Sequence, residues 1–142
     1  MEVEVLAKKI NRKHRTLKWK PIIMIKEHLS PTTLLAFRRL ADFFIVSSLH
    51  DGMNLVSKEF VAARNDEDGV LLLSQFTGAA RELKETILIN PYAIDDMAKS
   101  IRSAIQMPLE LRKNIMQKMR TTVKENNIFL WAGNIITDLW NC

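Results

Sequence analysis

Four short apolar runs punctuate the first two thirds of the chain. They are Pro21-Ile22-Ile23-Met24-Ile25, Phe43-Phe44-Ile45-Val46, Val70-Leu71-Leu72-Leu73 and Ile87-Leu88-Ile89. None alternates with polar residues, and continuous apolarity marks strands buried on both faces, as in a parallel sheet covered by helices. Helical periodicity fills the gaps between the runs. Ser30-Pro31 supplies an N-cap and a first-turn proline ahead of Leu34, Leu35 and Phe37. Residues 54–64 place Leu55, Val56, Phe60 and Val61 at helical spacing, and Gly78 to Leu83 reads as a short helix. Residues 2–11 precede this alternation with Val3, Leu6 and Ile10 on one helical face and lysines on the other.

After Asn90-Pro91 the pattern becomes helical throughout. Asp95 to Gln106 forms one helix with Ile94, Met97, Ala98, Ile101 and Ile105 on its apolar face. Pro108 opens a second that runs to about Glu125, and Ile128 to about Trp140 forms the last. The expected architecture is therefore α/β: a Rossmann-like parallel sheet of about four strands, helices on both faces and a helical C-terminus. With no repeat, low-complexity tract or Gly/Ser linker, residues 1–142 read as a single domain.

Composition narrows the function. The chain is 47% apolar and 26% charged, which fits a globular class. No apolar run reaches the roughly 18 residues that a membrane span needs, and the start lacks the order of a secretory signal, so a soluble, cytoplasmic protein with no membrane partner is expected. The single cysteine, Cys142, excludes an internal disulfide and a multi-thiolate metal site. The net charge of +5 is local: residues 1–20 hold seven Lys or Arg against two Glu, and the other 122 residues carry 14 bases and 14 acids. Apart from Trp19 no aromatic platform accompanies this patch, and a nucleic-acid partner is not expected. His14 and His28 lack partners at metal-ligand spacing, so no metal is expected, and Met107, Met116 and Met119 read as core.

The stretch Ser47-Ser48-Leu49-His50-Asp51-Gly52-Met53-Asn54-Leu55-Val56-Ser57-Lys58-Glu59-Phe60 concentrates the chemistry. It follows an apolar strand, carries a glycine and runs straight into a helix. Ligands of open α/β sheets bind at the carboxyl ends of strands, and free N–H groups at a helix start favour phosphate. Asp51 is placed to accept from sugar hydroxyls, and Glu59, about one turn into the helix, to clasp a ribose diol. The plainer alternatives are that Asp51 caps the helix, that Glu59 pairs with Lys58 or another neighbour, and that Gly52 is purely structural. Lys58 is a phosphate ligand or a solvent-facing residue.

The wording Asp51-Gly52-Met53-Asn54-Leu55-Val56-x-Lys58-Glu59-Phe60-Val61-Ala62 resembles the donor-site motif of the trehalose-6-phosphate synthases. These are retaining glucosyltransferases of the GT-B type that join glucose from UDP-glucose to glucose 6-phosphate. Trp19-x-Pro21-Ile22, Ala41-Asp42, Leu73-Ser74-Gln75-Phe76-Thr77-Gly78-Ala79-Ala80-Arg81-Glu82-Leu83 and Asn90-Pro91-Tyr92 are similar to words of the same family, so the likeness covers about residues 10 to 140. Glucosylglycerol-phosphate synthases are similar as well.

The resemblance implies part of a GT-B C-terminal domain and a site by position. Asp51 would bind the donor glucose hydroxyls, and main-chain groups of Gly52, Met53, Asn54 and Leu55 would meet the sugar and diphosphate. Leu55, Val56, Ser57, Lys58 and Glu59 would form the nucleotide contact with Glu59 on the ribose, and Leu29 would lie beside the uracil. No cofactor is implied. In the family an arginine usually precedes the aspartate; here His50 stands there, which carries a full charge only when protonated.

The family's donor-binding arginine and lysine, its N-terminal half with the acceptor site and its catalytic histidine have no match in these residues, so no catalytic residue is expected here and no transferase activity from the chain alone. An N-terminal glycosyltransferase half is the partner this implies. The family's first two sheet strands are also unmatched, so the edge at residues 43–46 is expected to be covered by re-pairing of strand 21–25 or by another copy of the chain. The competing readings are a non-catalytic oligomeric interaction protein and a phosphate-backbone binder acting through residues 8–20.

Overall fold

The structure is a computed structural model that describes residues 2–141, so Cys142 lies outside the described residues. Two compact units divide the chain, residues 1–30 and residues 31–142.

In the first unit, α1 (Glu2–His14) runs three residues beyond the expected end. Glu2 and Glu4 sit in its first turn and Arg12, Lys13 and His14 in its last. That order complements the helix dipole and sustains the helix through the basic stretch. Val3 and Leu6 remain exposed, and Ala7 is its buried residue.

The apolar run 21–25 is not the expected strand. Pro21 has no N–H for a ladder, and the Asn11 side chain takes both backbone groups of Ile22, donating from Nδ2 to the carbonyl at 2.8 Å and accepting the N–H on Oδ1 at 2.9 Å. A side-chain amide thus substitutes for a neighbouring strand, and Ile23, Met24 and Ile25 are left exposed. The same unit holds an ion pair between Lys26 and Glu4.

The second unit contains a parallel sheet of three strands rather than about four, in the order β1 (Phe43–Val46), β2 (Val70–Ser74), β3 (Ile87–Ile89). Phe43 is in register with Val70, and Leu72 with Ile87. Every residue of the central strand β2 is buried. Leu71 and Leu73 pack into one core with Phe60 and Val61 of α3 (Leu55–Ala63), Ala79 of α4 (Ala79–Glu82), and Met116 and Met119 of α6 (Leu109–Glu125). Val70 and Leu72 face the other way, toward Ile89 and Ala104 of α5 (Ile94–Ile105). The unbroken apolar run of β2 is therefore the signature of helices on both faces.

Several elements follow the periodicity with small shifts. α2 (Pro31–Leu40) begins at its proline, and Leu35 and Phe37 stay exposed. On α5 the inward residues are Met97, Ile101 and Ala104, while Ile94 and Ile105 are exposed. α7 (Ile128–Trp140) is capped by Asn127, whose side chain accepts from Phe129 and Leu130 N–H. It buries no residue, so Trp131, Ile135, Leu139 and Trp140 are exposed. β1 pairs with β2 along one edge, and re-pairing of residues 21–25 on the other is ruled out because they form no strand.

Candidate functional site

The loop after β1 is built around one carboxylate. Asp51 Oδ1 accepts the N–H of Met53 at 3.1 Å and that of Asn54 at 2.8 Å, while Oδ2 accepts Asn54 Nδ2 at 2.9 Å. These bonds curl residues 51–54 into a tight turn. They also favour the charged form: hydrogen bonds from the Asn54 side chain and the Met53 N–H hold the Asp51 carboxyl below the ordinary aspartate range, with burial opposing and His50 assisting.

Asn54 completes the turn in the left-handed region, φ 63° and ψ 75°, which asparagine tolerates better than most residues. Its Oδ1 accepts the Ser57 N–H at 3.0 Å, making it the N-cap of α3, and Ser57 Oγ returns a bond to the Asn54 carbonyl at 2.8 Å. Asn54 and Ser57 are buried, whereas Gly52, Met53, Leu55 and Val56 are exposed. Leu55 and Val56 occupy the first turn, where backbone N–H groups have no intrahelical acceptor.

A second loop holds the first in place. Asp51 and Thr77 form a parallel bridge. Asp51 N–H donates to Phe76 O at 3.3 Å, Gly78 N–H to Asp51 O at 3.0 Å, and Ala79 N–H to Met53 O at 3.0 Å. This approach requires glycine at 78, since a Cβ there would lie 2.0 Å from the Gly52 carbonyl oxygen, while one on Gly52 would meet nothing within 4 Å. The glycine on which the contact between the two loops depends is therefore Gly78 and not Gly52. The missed signal is the small-residue run Gly78-Ala79-Ala80, separated from the end of β2 by three residues, which permits two loops to touch.

The charges on α3 are separately engaged. Lys58 Nζ reaches both carboxylate oxygens of Glu82 at 2.8 Å. Glu59 pairs with Arg38 of α2 rather than with Lys58. Adjacent helical residues diverge by about 100° and cannot face each other. Arg38 and Glu82 are thus the partners that sequence reasoning did not name. At the far end of α3, the buried Arg64 donates to Arg39 O at 2.6 Å and Ala41 O at 2.8 Å, which fixes the end of α2.

Of the predicted site residues, the structure brings Asp51, Gly52, Met53, Asn54, Leu55, Val56, Ser57, Lys58 and Glu59 into one continuous turn and helix start. Leu29 belongs to the first unit, where it is half-buried. Among the described residues, no group of three or more His, Cys, Asp or Glu is arranged to hold a metal ion, and no helix is long and apolar enough to cross a membrane.

The family model for glycosyltransferase family 20 matches residues 1–141. The chain belongs to glycosyltransferase family 20. Among curated members, a trehalose-6-phosphate synthase of Sodalis glossinidius is 41% identical over 139 residues, covering 97% of this chain and 30% of the relative. A glucosylglycerol-phosphate synthase of Synechocystis is 38% identical, covering 98% of this chain and 28% of the relative.

Solved family 20 structures carry the same fold. The alpha,alpha-trehalose-phosphate synthase (UDP-forming) from Burkholderia xenovorans, in complex with glucose-6-phosphate, superposes with a TM-score of 0.92 at 39% identity, over 98% of this chain and 31% of that one. An E. coli structure bound with UDP-2-fluoro glucose gives 0.91 at 38% identity, over 97% of this chain and 31% of that one. The chain spans about 30% of the length of the curated relatives it matches.

Proposed function

We propose that the 51–59 turn and helix start form the donor half-site of a retaining glucosyltransferase of family 20, with UDP-glucose as donor and glucose 6-phosphate as acceptor. The acceptor site and the remaining donor contacts would come from an N-terminal glycosyltransferase half, supplied separately or as part of a longer enzyme. The observation that carries this reading is the turn fixed by Asp51 directly ahead of the first turn of α3, where Leu55 and Val56 are exposed and their N–H groups have no intrahelical acceptor.

Each predicted residue of the 51–59 stretch then has a role. Asp51 accepts donor-sugar hydroxyls, and main-chain groups of Gly52, Met53, Asn54 and Leu55 meet the sugar and diphosphate. Val56, Ser57, Lys58 and Glu59 line the nucleotide with Glu59 on the ribose. As the glycosidic bond breaks, negative charge gathers on the diphosphate, and N–H groups already aimed at it stabilise that charge without reorganising. With Lys58 held by Glu82, the helix start rather than this side chain carries the anion contact.

The Synechocystis relative supports a second reading in which the same donor site serves glycerol-phosphate glucosylation. We also place the protein in the cytoplasm and propose that it self-associates through its open β1 edge, which sedimentation velocity tests directly. The donor assignment is tested by titrating UDP-glucose, UDP and ADP-glucose while following backbone amide shifts. Saturable shifts across residues 51–59, largest for one base, are expected; a folded sample with no shifts there overturns the donor reading.

A further inference from the structure

We infer that Arg38 is a positioning residue for the donor ribose, fixing the Glu59 carboxylate so that the pair, rather than Glu59 alone, selects a nucleotide bearing ribose hydroxyls; this rests on the donor reading above. The Arg38 side chain is only 14% exposed, and its Nη2 pairs with Glu59 Oε2. Glu59 is 52% exposed, so one carboxylate oxygen is held against a largely buried cation while the group as a whole still meets solvent. Lys58 cannot compete for it, because both of its bonds go to Glu82.

The frame behind Arg38 is itself fixed. Arg64, at the C-terminal end of α3, donates to the carbonyl of Arg39 at 2.6 Å and lies 3.4 Å from that of Arg38. The α2 segment carrying Arg38 is thereby tied to the helix carrying Glu59. A carboxylate already held in one rotamer loses less side-chain freedom when a ligand binds than a free surface glutamate does. A cation on one oxygen leaves the other as a directed acceptor, which matches a sugar hydroxyl donor.

The test compares UDP with 2′,3′-dideoxyuridine diphosphate on the full chain by amide-shift titration, for the wild type, R38A, R38M and E59Q. The wild type is expected to prefer UDP by about tenfold, the worth of a hydrogen bond to a charged group. R38A should reduce that preference to about twofold to threefold, close to the value for E59Q, while dideoxy-UDP affinity stays within about twofold of wild type. R38M keeps the buried stem without the charge and is expected to behave as R38A does, so the measurement stands if R38A does not fold. Full preference retained in R38A or R38M overturns the inference and leaves the donor reading intact, as does an equal fall for both ligands, which marks a merely structural arginine. No preference or no binding in the wild type overturns the ribose role of Glu59 and this inference together.

Discussion

Replacing Gly78 with alanine is the most direct test of how the candidate site is held. The added Cβ would sit 2.0 Å from the Gly52 carbonyl oxygen, 2.9 Å from its carbon and 3.4 Å from the Met53 Cα. All three contacts are backbone, so no side chain can swing aside. Ordinary carbon–oxygen contact is well above 3 Å, and the two loops must part by more than an ångström. Gly78 lies at φ −62° and ψ −35°, a conformation alanine prefers, so the cost is packing rather than backbone strain.

Separation stretches the bonds from Gly78 N–H to Asp51 O and from Ala79 N–H to Met53 O, each 3.0 Å. Two hydrogen bonds at about 1 kcal/mol each, with about 1–3 kcal/mol for overpacking, bound the loss at roughly 3–5 kcal/mol. Urea unfolding followed by circular dichroism measures it, and the control is Gly52→Ala, whose Cβ has open space. Gly52→Ala is expected to stay within about 0.5 kcal/mol of wild type, as surface substitutions do. If Gly78→Ala proves as stable as Gly52→Ala, with unchanged amide shifts at residues 51–54, the two-loop account is wrong.

Asn54→Ala should cost about 2–3 kcal/mol by urea unfolding, combining a lost N-cap with the left-handed backbone at this position, and Asn54→Gly should recover part of that loss; equal stability of the two variants refutes the backbone part. Leu72→Ala, at the fully buried centre of β2, should cost about 2–5 kcal/mol, and a loss under about 1 kcal/mol would show that the α5 face of the sheet is not covered. Acidification should release the site turn. Because the folded Asp51 pKa is depressed, its stabilisation is complete above the ordinary aspartate value of about 3.9 and fades as pH falls through the lower folded value. Amide shifts of Met53 and Asn54 should therefore titrate with a midpoint below about 3.9, and a midpoint at or above it contradicts the hydrogen-bonded carboxylate.

Much of the second unit was legible because its signals are local. Continuous apolarity located β1, β2 and β3, and Pro31 and Pro108 marked helix starts that the structure keeps. Residues 21–25 misled because an apolar run reports only a preference for burial, and a strand also needs a ladder partner; the Asn11 amide, eleven residues before Ile22, supplies that pairing instead. The site divides in the same way. Asp51, Asn54 and the start of α3 lie within one short stretch and could be read together. Arg38, Gly78 and Glu82 act on it across 21, 26 and 24 residues, and no periodicity connects such positions. The family likeness pointed to the second loop through Ser74-Gln75-Phe76-Thr77-Gly78, but only the approach of Gly78 to Gly52 gives that wording a physical purpose.

The opposition between a structural and a ligand-binding Asp51 dissolves when its lone pairs are counted. A carboxylate has about four acceptor directions. Oδ1 uses two on Met53 and Asn54 N–H, and Oδ2 uses one on Asn54 Nδ2, so Oδ2 keeps room for one further donor. The bonds that make Asp51 look like a simple turn residue also favour its charged form and fix its orientation, as a directed acceptor for a sugar hydroxyl needs. Asn54 joins the two functions, since its Nδ2 fixes the carboxylate while its Oδ1 caps the helix start. On the donor reading proposed above, the acceptor for sugar and the helix start for diphosphate would be set in register by one side chain, three residues from the aspartate, before any ligand arrives.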